Sequence, residues 1–282
     1  MNYRHIYHAG NICDVVKHAV LCRILASLLN KNKGFAVLDT HAGSGLYPLD
    51  DTRAQKTNEA QNGIRTFLNA PPLLGLEGYY SALQRANPSW SEEKPENFRL
   101  YPGSPFIVFH HLRAQDRLIA CERHPEEARD LHTQAPLDAR FQVHRRDGYE
   151  ALNALLPPPE KRGLVLIDPP YEDADEFDTL THHLVKAHKR WPSGLYMAWY
   201  PVKNRPAIWA FHEALAASGI PKILCAEFIY DENVRTDNLA GSGLVIINPP
   251  WGLDETLKTL FPALHAAMKT AYANDAIRWL AS

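Results

Sequence analysis

The six residues Gly163-Leu164-Val165-Leu166-Ile167-Asp168 constrain this chain more than any other stretch. A near-continuous apolar run of strand length predicts a strand buried on both faces, and such strands belong to parallel sheets covered by helices above and below. Phe35–Asp39, Arg117–Glu122, Phe141–His144 and Gly194–Tyr200 read as further strands, with helical patterns between them. Residues 11–30 place Val15, Val16, Ala19, Val20, Ile24 and Leu28 near helical spacing, with Asn11 as N-cap and Asp14 in the first turn. Other helices are predicted through Glu126–His132, up to Leu156, near Glu176–Lys189 and across Ile208–Ala217. Strands alternating with helices predict a doubly wound, mostly parallel α/β sheet. Lys222–Tyr230 and Gly243–Asn248 are joined by a loop too short for a crossover helix, so they should be antiparallel neighbours. That makes seven strands, followed by a packing helix carrying Leu257, Leu260, Phe261, Leu264 and Met268.

Between the first strand and the rest, the text changes. From Leu49 to Phe98 it is polar and punctuated by Pro71-Pro72, Pro88 and Pro95. Ile64, Phe67 and Leu68 suggest one helix, and Leu76, Tyr79, Tyr80 and Leu83 another; no convincing strand is visible. The division expected is an α/β domain of residues 1–48 and 99–282 with an inserted helical subdomain over 49–98. No apolar run approaches the roughly 20 residues of a membrane span, and Met1–His5 leads into polar text unlike a signal peptide. A cytoplasmic, soluble protein is the expectation, and a monomer, since no large apolar stripe is left over. Cys13, Cys22, Cys121 and Cys225 form no CxxC pair, so no metal site is expected. A net charge of −2 neither announces a nucleic-acid binder nor excludes one, since a local patch can contact phosphates.

In open α/β sheets ligands lie beyond the carboxyl ends of the strands, at the point where strand order reverses. Here those ends carry Asp39-Thr40-His41-Ala42-Gly43-Ser44-Gly45, then Glu122, then Asp147-Gly148, then Asp168-Pro169-Pro170-Tyr171. Each suits a part of S-adenosylmethionine. Gly43 and Gly45 allow close backbone approach, although a lone G-x-G is weak. Glu122 can accept from both ribose hydroxyls, Asp147 from the cofactor's adenine amino group, and Gly148 leaves it room. The final tetrapeptide is the specific signal. An exocyclic amino nitrogen on an aromatic ring is a poor nucleophile, because its lone pair is delocalised. Two acceptors on its two N–H bonds, the Asp168 carboxylate and the Pro169 carbonyl, can turn that lone pair toward a methyl donor. Proline restricts its own backbone and that of the residue before it, which fixes both acceptors. Tyr171 offers a ring on which a base can stack. Asn248-Pro249-Pro250-Trp251 has similar chemistry, but it follows the last strand, away from the reversal point, and reads as a structural turn.

A closing antiparallel hairpin on seven strands resembles the Rossmann-type class I methyltransferases. More specific blocks narrow the likeness. Tyr3-Arg4-His5, His8-Ala9-Gly10-Asn11, Asp14-Val15-Val16-Lys17-His18, Leu38–Gly43, Tyr101-Pro102-Gly103-Ser104-Pro105, Leu166–Tyr171 and Trp199-Tyr200-Pro201 together resemble the bacterial large-subunit ribosomal RNA adenine-N6 methyltransferase J family. The resemblance spans nearly the whole chain. It implies 23S ribosomal RNA, naked or partly assembled, as the partner and N6-methyladenosine as the product. It implies cofactor contacts from Lys17, His18, His41, Ser104, Glu122, Asp147, Gly148 and Asp168. It makes Asp168 the catalytic residue, with Pro169 and Tyr171 beside it, and puts Tyr3 near the target base. Read alone, Lys17 suits a cofactor carboxylate, while Ser104, with Pro105 after it, reads as a helix N-cap. The alternatives are an adenine-N6 methyltransferase acting on DNA, an enzyme methylating a protein amide or small molecule (where Asn-Pro-Pro-Tyr is more usual), and a nucleotide-binding module without catalysis. An intact Asp168 and Tyr171 argue against the last.

Overall fold

The computed structural model describes residues 4–91, 93–233 and 238–282. After a 3-10 turn (His5–Tyr7) come α1 (Ile12–Leu29), β1 (Ala36–Asp39) and β2 (Leu46–Pro48). Next are α2 (Thr52–Thr57), a π-type turn (Gln61–Arg65) running into α3 (Thr66–Leu68), α4 (Glu77–Ala86) and β3 (Leu100–Pro102). Then follow α5 (Ser104–His111), β4 (Arg117–Glu122), α6 (Pro125–Gln134), β5 (Phe141–Arg145), α7 (Gly148–Leu155) and β6 (Gly163–Ile167). The last third holds α8 (Glu176–Arg190), β7 (Leu195–Val202), α9 (Arg205–Ala216), β8 (Ile223–Ile229), β9 (Gly241–Ile247), α10 (Leu253–Met268) and β10 (Asn274–Ala281).

The main sheet has the order β10-β8-β9-β7-β6-β1-β4-β5. Pairings among β5, β4, β1, β6 and β7 are parallel; β9 is antiparallel to both β7 and β8, and β10 is antiparallel to β8. The expected antiparallel pair is therefore present as β8–β9. The sheet differs from the expected seven strands by one: β10 adds an eighth at the edge. The chain after α10 turns back because Lys269 takes the left-handed conformation at the helix end, and His265 then reaches Asp275 at 3.0 Å. A second departure is the two-stranded ladder β2–β3, pairing Leu46 with Pro102 and Pro48 with Leu100. These strands flank the 49–98 segment.

Every residue of β6 is buried, as its apolar run demands. Successive side chains of the central strands alternate between two layers. Val37, Leu118 and Leu164 face a core shared with α1, α5, α6, α10 and the helices of 49–98. Leu38, Ile119 and Val165 face a second core under α7, α8 and α9. The 49–98 helices pack on α1 through Ile64, Phe67, Tyr79 and Leu83, all fully buried. Among the described residues no helix is long and apolar enough to cross a membrane.

Candidate active site

β1 and β6 are parallel neighbours from which the strand order runs outward in opposite directions, so the reversal point lies between them. Their carboxyl ends deliver Asp39 and Asp168. A cavity of about 650 Å³ opens there, and it gathers His18, His41, Ser104, Glu122, Asp147 and Asp168 from six separate chain segments. Lys17, Gly148 and Pro169 line it too. All the described candidate residues except Gly45 and Tyr171 thus meet in one space. Tyr3 lies outside the described residues.

Lys17 is the hub. Its position one turn into α1, which Asn11 caps by accepting from the Asp14 N–H, aims the ammonium group at β6. Nζ donates to Asp14 Oδ1 at 2.9 Å and to Asp168 Oδ2 at 2.5 Å. Burial opposes charge on Lys17, but the two carboxylates outweigh it and raise its pKa. Burial likewise pushes Asp14 up, while His5 and Lys17 pull it well below the usual carboxylate range. Asp14 also accepts from His5, at 2.9 Å, and from the Gly10 N–H. His18, one residue on, shares a 2.7 Å hydrogen bond with the Tyr101 hydroxyl, which reaches Tyr79 of α4 at 3.0 Å. Its Nε2 is buried with no partner among the described residues. Burial and the Lys17 charge lower the His18 pKa, so the ring is neutral.

The acids after β4 and β5 are held by backbone. Glu122 accepts from the Gly43 N–H at 2.9 Å and the His124 N–H at 2.6 Å, and burial raises its pKa. The turn at Gly43 requires glycine: φ is +60°, and a Cβ would lie 2.1 Å from the Tyr47 hydroxyl. Asp147 is the N-cap of α7, accepting from the Tyr149 and Glu150 N–H groups through one oxygen. Its other oxygen meets Arg123 at 3.1 Å. His41 hydrogen-bonds Thr40 at 2.8 Å and abuts the edge of Tyr149; burial lowers its pKa to about 4. Ser104 does not cap α5, as its sequence position suggested; Gly103 occupies the cap, and the Ser104 hydroxyl donates to Asp39 at 2.7 Å.

Asp39 and Asp14 were missed as site residues by sequence reasoning. Asp39 is fully buried, and burial raises its pKa to about 7. A carboxylate ending an apolar strand was the available signal for it. Asp14 was read only as a first-turn helix residue. His5 sits in the 3-10 turn and lines the cavity.

Within the tetrapeptide, Pro169 and Pro170 line the cavity with Asp168, whose side chain is 16% exposed. Tyr171 adopts φ +52° and turns its hydroxyl onto the Trp199 carbonyl at 2.8 Å, with its ring edge-on to Trp199. It stands behind the cavity wall. Asn248-Pro249-Pro250-Trp251 is at the opposite edge of the sheet, because β9 runs against β7. There Asn248 ties the Pro192 and Gly194 carbonyls together, as expected of a structural turn. Among the described residues, His212, Cys225 and Glu227 are near enough to share an ion. The Tyr200 hydroxyl already stands between them, bonding His212 at 2.9 Å, Cys225 at 3.3 Å and Glu227 at 3.0 Å. Arg278 donates to His212 Nδ1, which leaves the proton on Nε2, the atom an ion would need. This is a satisfied polar network.

Comparison with known proteins follows the same lines. The family described as "Ribosomal RNA large subunit methyltransferase D, RlmJ" matches residues 32–281. The protein "Ribosomal RNA large subunit methyltransferase J" of Escherichia coli is 38% identical, with 99% of each chain covered. Its namesake from Haemophilus influenzae is also 38% identical, over 94% of this chain and 92% of that one. A crystal structure of protein LPL1258 from Legionella pneumophila superposes with a TM-score of 0.87 at 34% identity, covering 96% of this chain and 98% of that one. On its sequence match and on its fold, the chain belongs to the large-subunit ribosomal RNA methyltransferase J family.

Proposed function

We propose that the protein is an S-adenosylmethionine-dependent methyltransferase that forms N6-methyladenosine at one adenosine of 23S ribosomal RNA. The observation that carries this reading is Asp168-Pro169 at the end of β6, opening on the same cavity as Glu122 and Asp147. The printed names of its relatives point to large-subunit ribosomal RNA.

The residues fit the cofactor. The unpartnered His18 Nε2 is a buried polar atom awaiting a ligand. Lys17 spends two of its three N–H bonds on Asp14 and Asp168, leaving one for a cofactor carboxylate. The Glu122 oxygens, each held by a backbone N–H, keep lone pairs for the ribose hydroxyls. Asp147 can accept an adenine amino group by releasing Arg123, a surface pair of small worth. Gly148 lines the same space and packs directly on the end of β1, where a Cβ would lie 2.3 Å from the Thr40 carbonyl oxygen. An electrophilic methyl is the chemistry S-adenosylmethionine supplies when bound.

The chain's own part is to hold the acceptor. Asp168 is kept in place by Lys17, and its Oδ1 is left for one N–H of the target amino group. The Pro169 carbonyl takes the other. Such fixed acceptors account for rate by alignment and preorganisation. In this arrangement Tyr171 acts from behind the cavity wall, through its anchorage on Trp199, and not by stacking on the base. Tyr3 is proposed to lie near the target base. Residues 49–98 are proposed as a helical subdomain inserted into the catalytic domain of 1–48 and 99–282.

A base inside a helix cannot reach this cavity and must be extruded, at a cost of a few kcal/mol. Naked or partly assembled RNA is therefore the expected substrate. Mass spectrometry of 23S rRNA fragments from cells with and without the gene tests the assignment: one N6-methyladenosine should disappear. An unchanged fragment map, or equal labelling of DNA by the purified protein, would sink it.

A further inference from the structure

We propose that a second cavity, within the 49–98 segment, binds an unpaired base of the RNA substrate beside the extruded adenosine. This rests on the function just proposed. The cavity is about 650 Å³ and lies between the Gln61–Leu68 helical stretch, the Asn69–Pro72 loop and Trp90, Pro95, Glu96 and Phe98.

Its walls are a stacking platform with hydrogen-bonding groups around it. The Trp90 indole stands edge-on to the buried Phe98 ring, 5.6 Å between centroids, across from Pro71 and Pro72. Its backbone is pinned: the Trp90 N–H donates to the Asn87 carbonyl, and the Trp90 carbonyl accepts from Gln84 at 3.0 Å. Asn87 is buried, and its side chain ties the turn to Arg99 and Leu100 through three hydrogen bonds and to the Leu83 carbonyl through a fourth. The platform is thus rigid before any ligand arrives. The side chains of Gln61, Arg65 and Asn69 line the same space and make no hydrogen bond or ion pair among the described residues. They supply amide edges and a guanidinium group, which match a base edge and a phosphate.

Two further observations select an RNA base. Residues 49–98 carry five Lys and Arg against seven Asp and Glu, so general attraction to phosphates cannot be their contribution. Stacking is independent of net charge, and every base has a face to offer. The helical segment that carries the cavity is also tied by hydrogen bonds to the stretch that precedes α1. Glu59 binds His8 at 2.8 Å and Asn11 at 2.9 Å, and the Ile64 N–H donates to the Gly10 carbonyl at 2.8 Å. The strap so held carries His5, which lines the active-site cavity. Extruding one nucleotide disturbs the pairing of its neighbours, and those bases need a surface.

The test measures binding and turnover on a 23S rRNA fragment, using the full chain and the variants Trp90→Ala, Trp90→Phe and Arg65→Gln. Trp90→Ala should raise both Kd and KM for RNA by about tenfold, with kcat and S-adenosylmethionine affinity within twofold of wild type. Trp90→Phe should recover most of the loss. Arg65→Gln should lower the slope of log Kd against log salt by about 0.7, one single-strand phosphate contact. Unchanged RNA binding in both Trp90→Ala and Arg65→Gln overturns the inference. So does a loss seen only on protein-bearing ribosomal particles, which would assign the cavity to a peptide. Because binding is read directly, a wild-type protein that binds the fragment through Trp90 but methylates another atom overturns the proposed function and leaves this inference standing.

Discussion

At the residue scale, the site is a buried charge cluster organised around one ammonium group. Asp168→Ala should cut methyl transfer by about 10²–10⁴ in single-turnover assays, with the melting curve little changed. Retention of near-normal transfer would remove Asp168 from the centre. Asp39 makes a pH prediction. Its pKa is raised from 3.8 to about 7 by burial, so its protonated form is the one the fold prefers. The stability associated with that form is complete below the unfolded pKa and is lost as pH rises from about 4 to about 7. Asp39→Asn should therefore stabilise the protein at pH 8 by a few kcal/mol and change little at pH 4, read by urea denaturation at both values. Asp168, Glu122 and Asp147 were legible in sequence because strand ends are legible. Asp14 was not, because its role depends on His5, Gly10 and Lys17 converging on it in three dimensions.

At the scale of elements, α7 shows one residue serving two purposes. Asp147 caps the helix through one oxygen and presents the other to the cavity. Asp147→Ala should cost about 1 kcal/mol of stability and weaken cofactor binding. Asp147→Asn should keep the cap and lose mainly the binding; calorimetry with S-adenosylmethionine separates the two. Strand direction also explains why two similar tetrapeptides differ in role: β6 points its end at the cavity, β9 points the other way. Apart from α2 and α5, whose extents no apolar spacing marked, helices and central strands were readable from periodicity to within a few residues. β2, β3 and β10 were not. The first two are three residues long and each ends in proline, which removes a ladder donor. β10 is an edge strand in which Asn274, Asp275 and Arg278 blur the alternation.

At the scale of the whole molecule, β10 covers the edge of β8, a strand whose residues are all buried. Removing residues 274–282 should expose that edge and strip Arg278 from His212, giving aggregation visible by size-exclusion chromatography. A monodisperse truncated protein would contradict this. The β2–β3 ladder has a different kind of consequence. By setting Leu46 opposite Pro102, it brings the two ends of the 49–98 segment side by side. Chain added between the clasped ends changes closure entropy only slightly, by about 0.6 kcal/mol for each doubling in length. In evolutionary terms the clasp is a grafting point. A lineage can lengthen or rewrite what is held there while the residues around Lys17 keep their distances.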